Sequence, residues 1–304
     1  MVEITEGTHQ IGDVALYTKT WKPEGPAKAK LIFIHGFNDH INRYYDFFPY
    51  LASRGIEVHG FDQRGWGRSV KKPADRGNTG PTAQVMSDIV TFIKAQLPSP
   101  VPVFVMGHSM GGGEILTLAS DPLYEDLMPS IQGWLTESAF LRFPKGQEPP
   151  GLKVVLGRLA GRLLPRFQLF SPLPAENLTR DPEVVKSILD DKLLHGYGTL
   201  QQLANMIDRA EALDTGRAKL NKGVKSLWIS HGTADKGTSC EASEAWFARQ
   251  THVQDKELKL YDGWEHQLHC DLPTSREEYY KDVADWILAR CGTEEPRQVA
   301  ESKL

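Results

Sequence analysis

The chain has 304 residues and a formal net charge of −4, with no basic excess of the kind that nucleic-acid binding requires. Its three cysteines, Cys240, Cys270 and Cys291, are too few for a disulfide framework or a zinc knuckle. No apolar run reaches the roughly 18 residues of a membrane span, and the opening Met1-Val2-Glu3-Ile4-Thr5-Glu6 is acidic, unlike a secretory leader; a soluble intracellular protein is expected.

In chain order, residues 14–21 alternate as an edge strand would. Short apolar runs at 31–34, 56–61, 101–106, 134–136, 226–230 and 258–261 read as further strands, most of them ending in Gly, His or Asp. Helical patterns at 44–54, 83–97, 114–119, 242–250 and 276–290 lie between them. Such alternation predicts an α/β protein with a mostly parallel central sheet flanked by helices, its active groups on loops at the carboxyl ends of the strands. Residues 140–217 break the rhythm: they are Pro-rich and helical in pattern, with no convincing strand. They are expected to form an inserted helical lid, dividing the core into 1–139 and 218–291. The polar residues 292–304 are expected to form a flexible tail.

Gly107-His108-Ser109-Met110-Gly111 follows an apolar strand and opens a small-residue helix. A G-x-S-x-G at a strand-to-helix junction is a nucleophile elbow, a strained turn that presents the serine Oγ. A hydroxyl needs a base to take its proton and an acid to orient that base. The loop after the 226–230 strand offers Asp235, and the loop after 258–261 offers His266, in the chain order serine, acid, histidine. Asp262 is a second candidate acid, and His269 a second candidate base. An oxyanion would be held by two backbone donors. These are expected to be the amide of Met110 and, from the His35-Gly36-Phe37 loop, that of Phe37. Gly111-Gly112-Gly113 lacks the spacing of a phosphate loop, and no metal or cofactor site is expected.

Five segments together resemble the monoacylglycerol lipase family of α/β-hydrolases. They are His-Gly-Phe-Asn-Asp-His-x-x-Arg-Tyr at 35–44, Asp-Gln-Arg-Gly-Trp-Gly-Arg-Ser at 62–69, Gly-His-Ser-Met-Gly-Gly at 107–112, His-Gly-Thr-Ala-Asp at 231–235 and His-Gln-Leu-His at 266–269. The resemblance covers about residues 8–290 and is weak in the lid. It implies the α/β-hydrolase fold and a serine esterase that releases a fatty acid from monoacylglycerol, with Ser109, Asp235 and His266 as its triad. It also implies that Asp39, Arg43 and His269 bind the glycerol hydroxyls, with Asp39 one methylene shorter than the Glu of several relatives. Ile188 or Tyr197 could cover the glycerol end.

Within the lid, Leu152, Val155, Leu156, Leu159, Leu163 and Phe167 form an apolar helical face beside Lys153, Arg158, Arg162 and Arg166. That face could rest on a membrane or lipid droplet, or pack over an acyl tunnel. The closing Ser302-Lys303-Leu304 resembles a peroxisomal import signal, so an import receptor and a peroxisomal location are expected, with cytoplasm or a droplet surface as the alternative. The competing activities are an acyl-CoA thioesterase or another carboxylesterase using the same triad.

Overall fold

The computed structural model describes residues 2–292. Met1 and residues 293–304, including Ser302-Lys303-Leu304, lie outside the described residues.

Eight strands form the main sheet: β1 (Glu3–Ile11), β2 (Val14–Lys22), β3 (Ala29–Ile34), β4 (Ile56–Phe61), β5 (Val103–His108), β6 (Gly133–Glu137), β9 (Ser226–Gly232) and β10 (Asp255–Tyr261). Two shorter strands, β7 (Gln168–Phe170) and β8 (Tyr197–Thr199), pair separately as an antiparallel ribbon. The sheet order is β1-β2-β4-β3-β5-β6-β9-β10. The β1/β2 and β2/β4 pairings are antiparallel and the others parallel. From β3 the chain passes to β4 on one side and then to β5 on the other, so the loops leaving β3 and β5 diverge at their carboxyl ends. Such a switch point opens a crevice for ligands.

Helices α1 (Phe47–Ser53), α2 (Thr82–Lys94), α3 (Met110–Leu118), α7 (Cys240–Arg249) and α8 (Arg276–Leu288) cover the two faces. Alternate strand residues face opposite ways. Ile32, Ile34, Val103 and Val105 pack with Ile89 of α2, Ile115 of α3 and Trp246 of α7. Leu31, Phe33, Phe104 and Met106 pack instead with Phe48 of α1 and Tyr279 of α8. A sheet buried on both faces explains why the inner strands read as continuous apolar runs.

Two sequence expectations change at the edge of this sheet. The 14–21 strand is not an edge strand, because β1 lies outside it, turned back at Gly12 with φ 56°. The β1 sequence, Glu-Ile-Thr-Glu-Gly-Thr-His-Gln-Ile, is mostly exposed and polar, so no hydrophobic period marked it. The 44–54 helix is also shorter than expected: Tyr45 has φ 40° and the helix starts at Phe47.

Between β6 and β9 lie α4 (Gly151–Leu163), α5 (Pro182–Asp190) and α6 (Leu200–Asp214), together with β7 and β8. The expectation of no strand in this segment is therefore corrected; three-residue strands are too short to show a period of two. The segment is tied down through α6, where the buried Arg209 reaches the buried Glu114 of α3 at 3.0 Å and the partly buried Thr82 Oγ1 at 3.2 Å. Helix α4 is held to α6 from its polar side, by Arg158 with Asp208 and Glu211. Its apolar residues outside the interior face outward: Leu152 is 72% exposed and Leu163 73%, and Val155 and Leu159 are each more than half exposed. Among the described residues no helix is long and apolar enough to cross a membrane.

The packing of α3 on β3 fixes how close two backbones come. A Cβ on Gly111 would lie 2.2 Å from the Ile34 carbonyl oxygen and 2.5 Å from that of His35. Both are main-chain atoms of the central sheet and cannot turn aside. Gly111→Ala is expected to cost about 3 kcal/mol, the upper end of overpacking penalties, as read by urea unfolding.

Candidate active site

Strand β5 runs directly into α3, and Ser109 stands at the junction with φ 55° and ψ −119°. A non-glycine residue there is strained, and the structure holds it with three main-chain bonds. The Ser109 N–H donates to the Glu137 carbonyl at 2.9 Å, and its carbonyl accepts from Phe140 N–H at 2.9 Å and Gly113 N–H at 3.1 Å. Gly107 allows the sharp return, since a Cβ there would meet the Gly111 carbonyl oxygen at 2.4 Å. The Met110 N–H, in the first turn of α3, belongs to the set that no helical carbonyl satisfies.

The loops after β9 and β10 lie side by side because Gly232 is in register with Tyr261. Asp235 and His266 meet there, with Oδ2 2.8 Å from Nδ1. The carboxylate is buried and richly bonded: Oδ1 accepts from Gly237 N–H at 2.6 Å and Thr238 N–H at 3.0 Å, and Oδ2 lies 2.9 Å from His231 Nε2. Burial alone would raise its pKa, but the His266 charge and the bonds from His231 and His266 outweigh that, holding it well below the usual carboxylate range. An ionised acid on Nδ1–H orients the imidazole and leaves Nε2 to accept a proton. Asp262 does not compete: it is exposed and accepts from Thr233 Oγ1 in a surface turn.

The loop after β3 approaches Ser109 from the other side. A Cβ on Gly36 would lie 3.1 Å from Ser109 Cβ, so glycine sets this distance. His35 locks the loop: Nε2 accepts from Gln63 N–H at 2.9 Å and Nδ1 donates to the Gly36 carbonyl at 2.8 Å. Burial lowers the His35 pKa, which suits a neutral ring with one donor and one acceptor. Phe37 packs edge-on against Trp66 and lines both cavities that meet at Ser109.

The smaller cavity, about 30 Å³, is bounded by Phe37, Asp39, Arg43, Ser109, Ile188 and His266, among others. Asp39 accepts from the Tyr44 hydroxyl at 2.7 Å and lies 3.6 Å from Arg43 Nε. Burial pushes the Asp39 pKa up, but the neighbouring His35 imidazole and Arg43 guanidinium prevail and hold it down. Asp191, just past α5, bonds His40 Nε2 at 2.8 Å and lies 3.7 Å from Arg43 Nη1, tying the 140–217 segment to the Arg43 side of the cavity. Two expectations are corrected here. His269 does not reach the cavity wall: it is 0% exposed, pairs with Glu137 at 2.7 Å and packs on Tyr44. Tyr197 lies elsewhere, against Phe170 in the β7–β8 ribbon, whereas Ile188 does line the cavity.

The larger cavity, about 510 Å³, opens from Ser109, Met110 and His266 between α4 and α6. Val154, Leu156, Ala160, Leu203 and Ile207 are among the residues that line it, giving an apolar chamber with its reactive groups at one end.

Four residues that sequence reasoning did not single out complete the site: His231 and Thr238 around Asp235, Asp191 over Arg43, and Glu137 behind the elbow. Glu137 had a visible signal, a carboxylate closing the apolar run Trp134-Leu135-Thr136. Among the described residues, His108, Glu137 and His269 bring ligand-type atoms within 4.8 Å of one another. Donors on a four-coordinate zinc stand about 3.4 Å apart, from bonds near 2.1 Å, so the 2.7 Å contact of Glu137 with His269 is a hydrogen-bonded ion pair.

Residues 25–273 match the family described as "Serine aminopeptidase, S33". The chain belongs to this family of α/β-hydrolases. Within it, the chain is 33% identical over 284 residues to the "Putative monoglyceride lipase" of Schizosaccharomyces pombe, covering 90% of this chain and 71% of that one. A soluble variant of monoglyceride lipase from Saccharomyces cerevisiae, in complex with a substrate analog, shares the fold with a TM-score of 0.85 at 21% identity, over 94% of this chain and 96% of that one. The monoacylglycerol lipase of Paleococcus ferrophilus aligns with a TM-score of 0.77 at 27% identity, over 90% and 99%. This S33-family member is a serine ester hydrolase. Asp235→Asn should leave KM for a soluble ester nearly unchanged and lower kcat by about 10⁴, because an amide no longer fixes the His266 tautomer. Steady-state kinetics on p-nitrophenyl butyrate would measure this.

Proposed function

We propose that this hydrolase cleaves the acyl ester of a monoacylglycerol to fatty acid and glycerol, with Ser109 as nucleophile, His266 as base and Asp235 as its orienting acid. The observation that carries the reading is the meeting, at Ser109, of a long apolar chamber and a small polar cavity. The chamber suits one acyl chain. The polar cavity, with Asp39 and Arg43, suits a compact leaving group with free hydroxyls.

In the proposed cycle Ser109 Oγ attacks the ester carbon as His266 Nε2 takes its proton. The amides of Phe37 and Met110 stabilise the oxyanion. His266 then returns the proton to the departing glycerol oxygen, leaving an acyl-enzyme. Water, deprotonated by the same imidazole, releases the fatty acid. Ser109→Ala should abolish turnover while preserving the fold. Wild-type protein should cleave monoacylglycerol far faster than triacylglycerol, because buried polar groups left unpaired penalise a substrate without hydroxyls. Equal rates on the two lipids would contradict the assignment of Asp39 and Arg43.

The 140–217 segment is proposed to act as a lid whose outward α4 stripe rests on a membrane or droplet surface. Contiguous exposed apolar residues of this kind mark an interaction site, and a basic amphipathic helix suits a lipid interface. Leu159 and Leu163 are exposed and outside the chamber wall, so they test the surface alone. Leu159→Asp with Leu163→Asp is expected to reduce co-flotation with phosphatidylcholine vesicles and turnover of vesicle-borne monoacylglycerol by tenfold or more. Hydrolysis of dissolved p-nitrophenyl butyrate should stay within about twofold of wild type.

A further inference from the structure

We propose that Glu137 is a positioning residue that sets the nucleophile against its base, holding one with its main chain and the other's loop with its side chain. This inference rests on the assignment of Ser109 and His266 above. Glu137 closes β6, beside β5, and its carbonyl accepts the Ser109 N–H at 2.9 Å. Its carboxylate turns to the loop after β10. There Oε1 accepts two bonds from one residue, His269 N–H at 3.0 Å and His269 Nδ1–H at 2.7 Å.

His269 sits in the single turn Leu268–Cys270, directly after His266 and Gln267. The Tyr280 hydroxyl donates to its carbonyl at 2.7 Å, fixing the turn on α8. The second carboxylate oxygen lies 3.8 Å from Nδ1 of His108, the residue before the nucleophile, and the His108 ring stands 4.8 Å from that of His266. A rotation of the His266 loop or of the elbow would therefore have to break contacts centred on Glu137.

The chemistry argues for a dedicated role. Glu137 is 0% exposed, at a strand position whose preceding residues Trp134 and Leu135 are apolar. A buried carboxylate is costly unless paired, and an apolar replacement of a buried pair is often neutral or stabilising, so stability alone does not call for this one. What an apolar pair would lack is direction. Two converging bonds to one oxygen fix the turn in both distance and orientation. Burial by itself would raise the Glu137 pKa and lower that of His269; the pairing overrides both, holding the carboxyl down and pushing the imidazole up to about 10.

The test uses the full chain with two variants. The wild type is first assayed for turnover of monoacylglycerol and for fluorophosphonate labelling at Ser109; absence of both would overturn the hydrolase reading itself, separately from Glu137. The double variant Glu137→Met with His269→Leu removes the tie and keeps the volume filled. It should unfold at a urea midpoint close to wild type, yet lose about 100-fold in kcat on both monoacylglycerol and p-nitrophenyl butyrate. A misplacement of about 1 Å is worth that much. KM for p-nitrophenyl butyrate, which has no hydroxyls, should stay within twofold, and fluorophosphonate labelling should slow in parallel with kcat. Glu137→Gln retains one acceptor oxygen, so it should recover part of the loss and stand about tenfold below wild type. A folded double variant with kcat within threefold of wild type, or a loss confined to KM, would overturn the proposal. Should the double variant fail to fold, Glu137→Gln decides alone, and a wild-type kcat there would overturn it as well.

Discussion

The strained backbone of Ser109 is the constraint around which the site is arranged. A residue at φ 55° and ψ −119° relaxes unless its neighbours leave it nowhere to go. Three main-chain bonds, from Glu137, Phe140 and Gly113, hold it. Two glycines allow the turn, one against α3 and one against the Ile34 and His35 carbonyls. Because Gly111 brings α3 onto β3, the same contact sets the distance between the serine and the Gly36–Phe37 loop. The position of the expected oxyanion donors therefore follows from the packing that holds Ser109.

Around that elbow the protein buries several charged groups, and three carboxylates are paired locally. Asp235 gathers main-chain N–H groups and two imidazoles, Asp39 sits with Arg43, and Glu137 with His269. Isolated, any of these carboxylates would be expected to take up a proton. Paired, they stay ionised and directional, which a site that must orient an imidazole requires. Asp191 extends the pattern into the 140–217 segment, where His40 and Arg43 hold its pKa down to about 2 against the opposing effect of burial. The α5 side of that segment is thereby joined electrostatically to the leaving-group cavity. The α4 side is joined to α6 by exposed ion pairs, which are individually weak.

Much of this was legible in the chain, for reasons that differ from residue to residue. The apolar runs ending in Gly, His or Asp marked β3, β5, β9 and β10, because a strand buried on both faces must be apolar throughout. The loops that follow hold, in chain order, Gly36, Ser109, Asp235 and His266, which the structure brings together. The β1 strand was not legible, since an exposed edge strand has no face to bury. Nor were β7 and β8, whose three residues each cannot display a period. The second histidine was misread for another reason. The spacing of His266 and His269 suggests two groups facing one ligand, but the carboxylate that claims His269 lies 132 positions away in sequence and meets it only through the sheet. Long-range pairs between single residues leave no local signal.

The outward stripe of α4 and the burial around Ser109 are two answers to one physical problem. A fatty acyl ester is apolar at one end and reacts at the other, so the site needs a dry chamber and a polar terminus a few ångströms apart. The chamber wall includes Val154, Leu156 and Ala160, while Val155, Leu159 and Leu163 of the same helix point to solvent. Helix α4 thus presents apolar residues on two sides, one set to the chamber and the other to solvent. Its attachment to α6 through Arg158 is on the polar side and exposed, and it adds little stability. The lipid contact proposed above would bury leucines that water leaves exposed, at a gain of about 25 cal/mol per Å² of apolar area. The two walls of the chamber are thus anchored differently, α4 to α6 by exposed pairs and α6 to α3 by the buried Arg209–Glu114 pair.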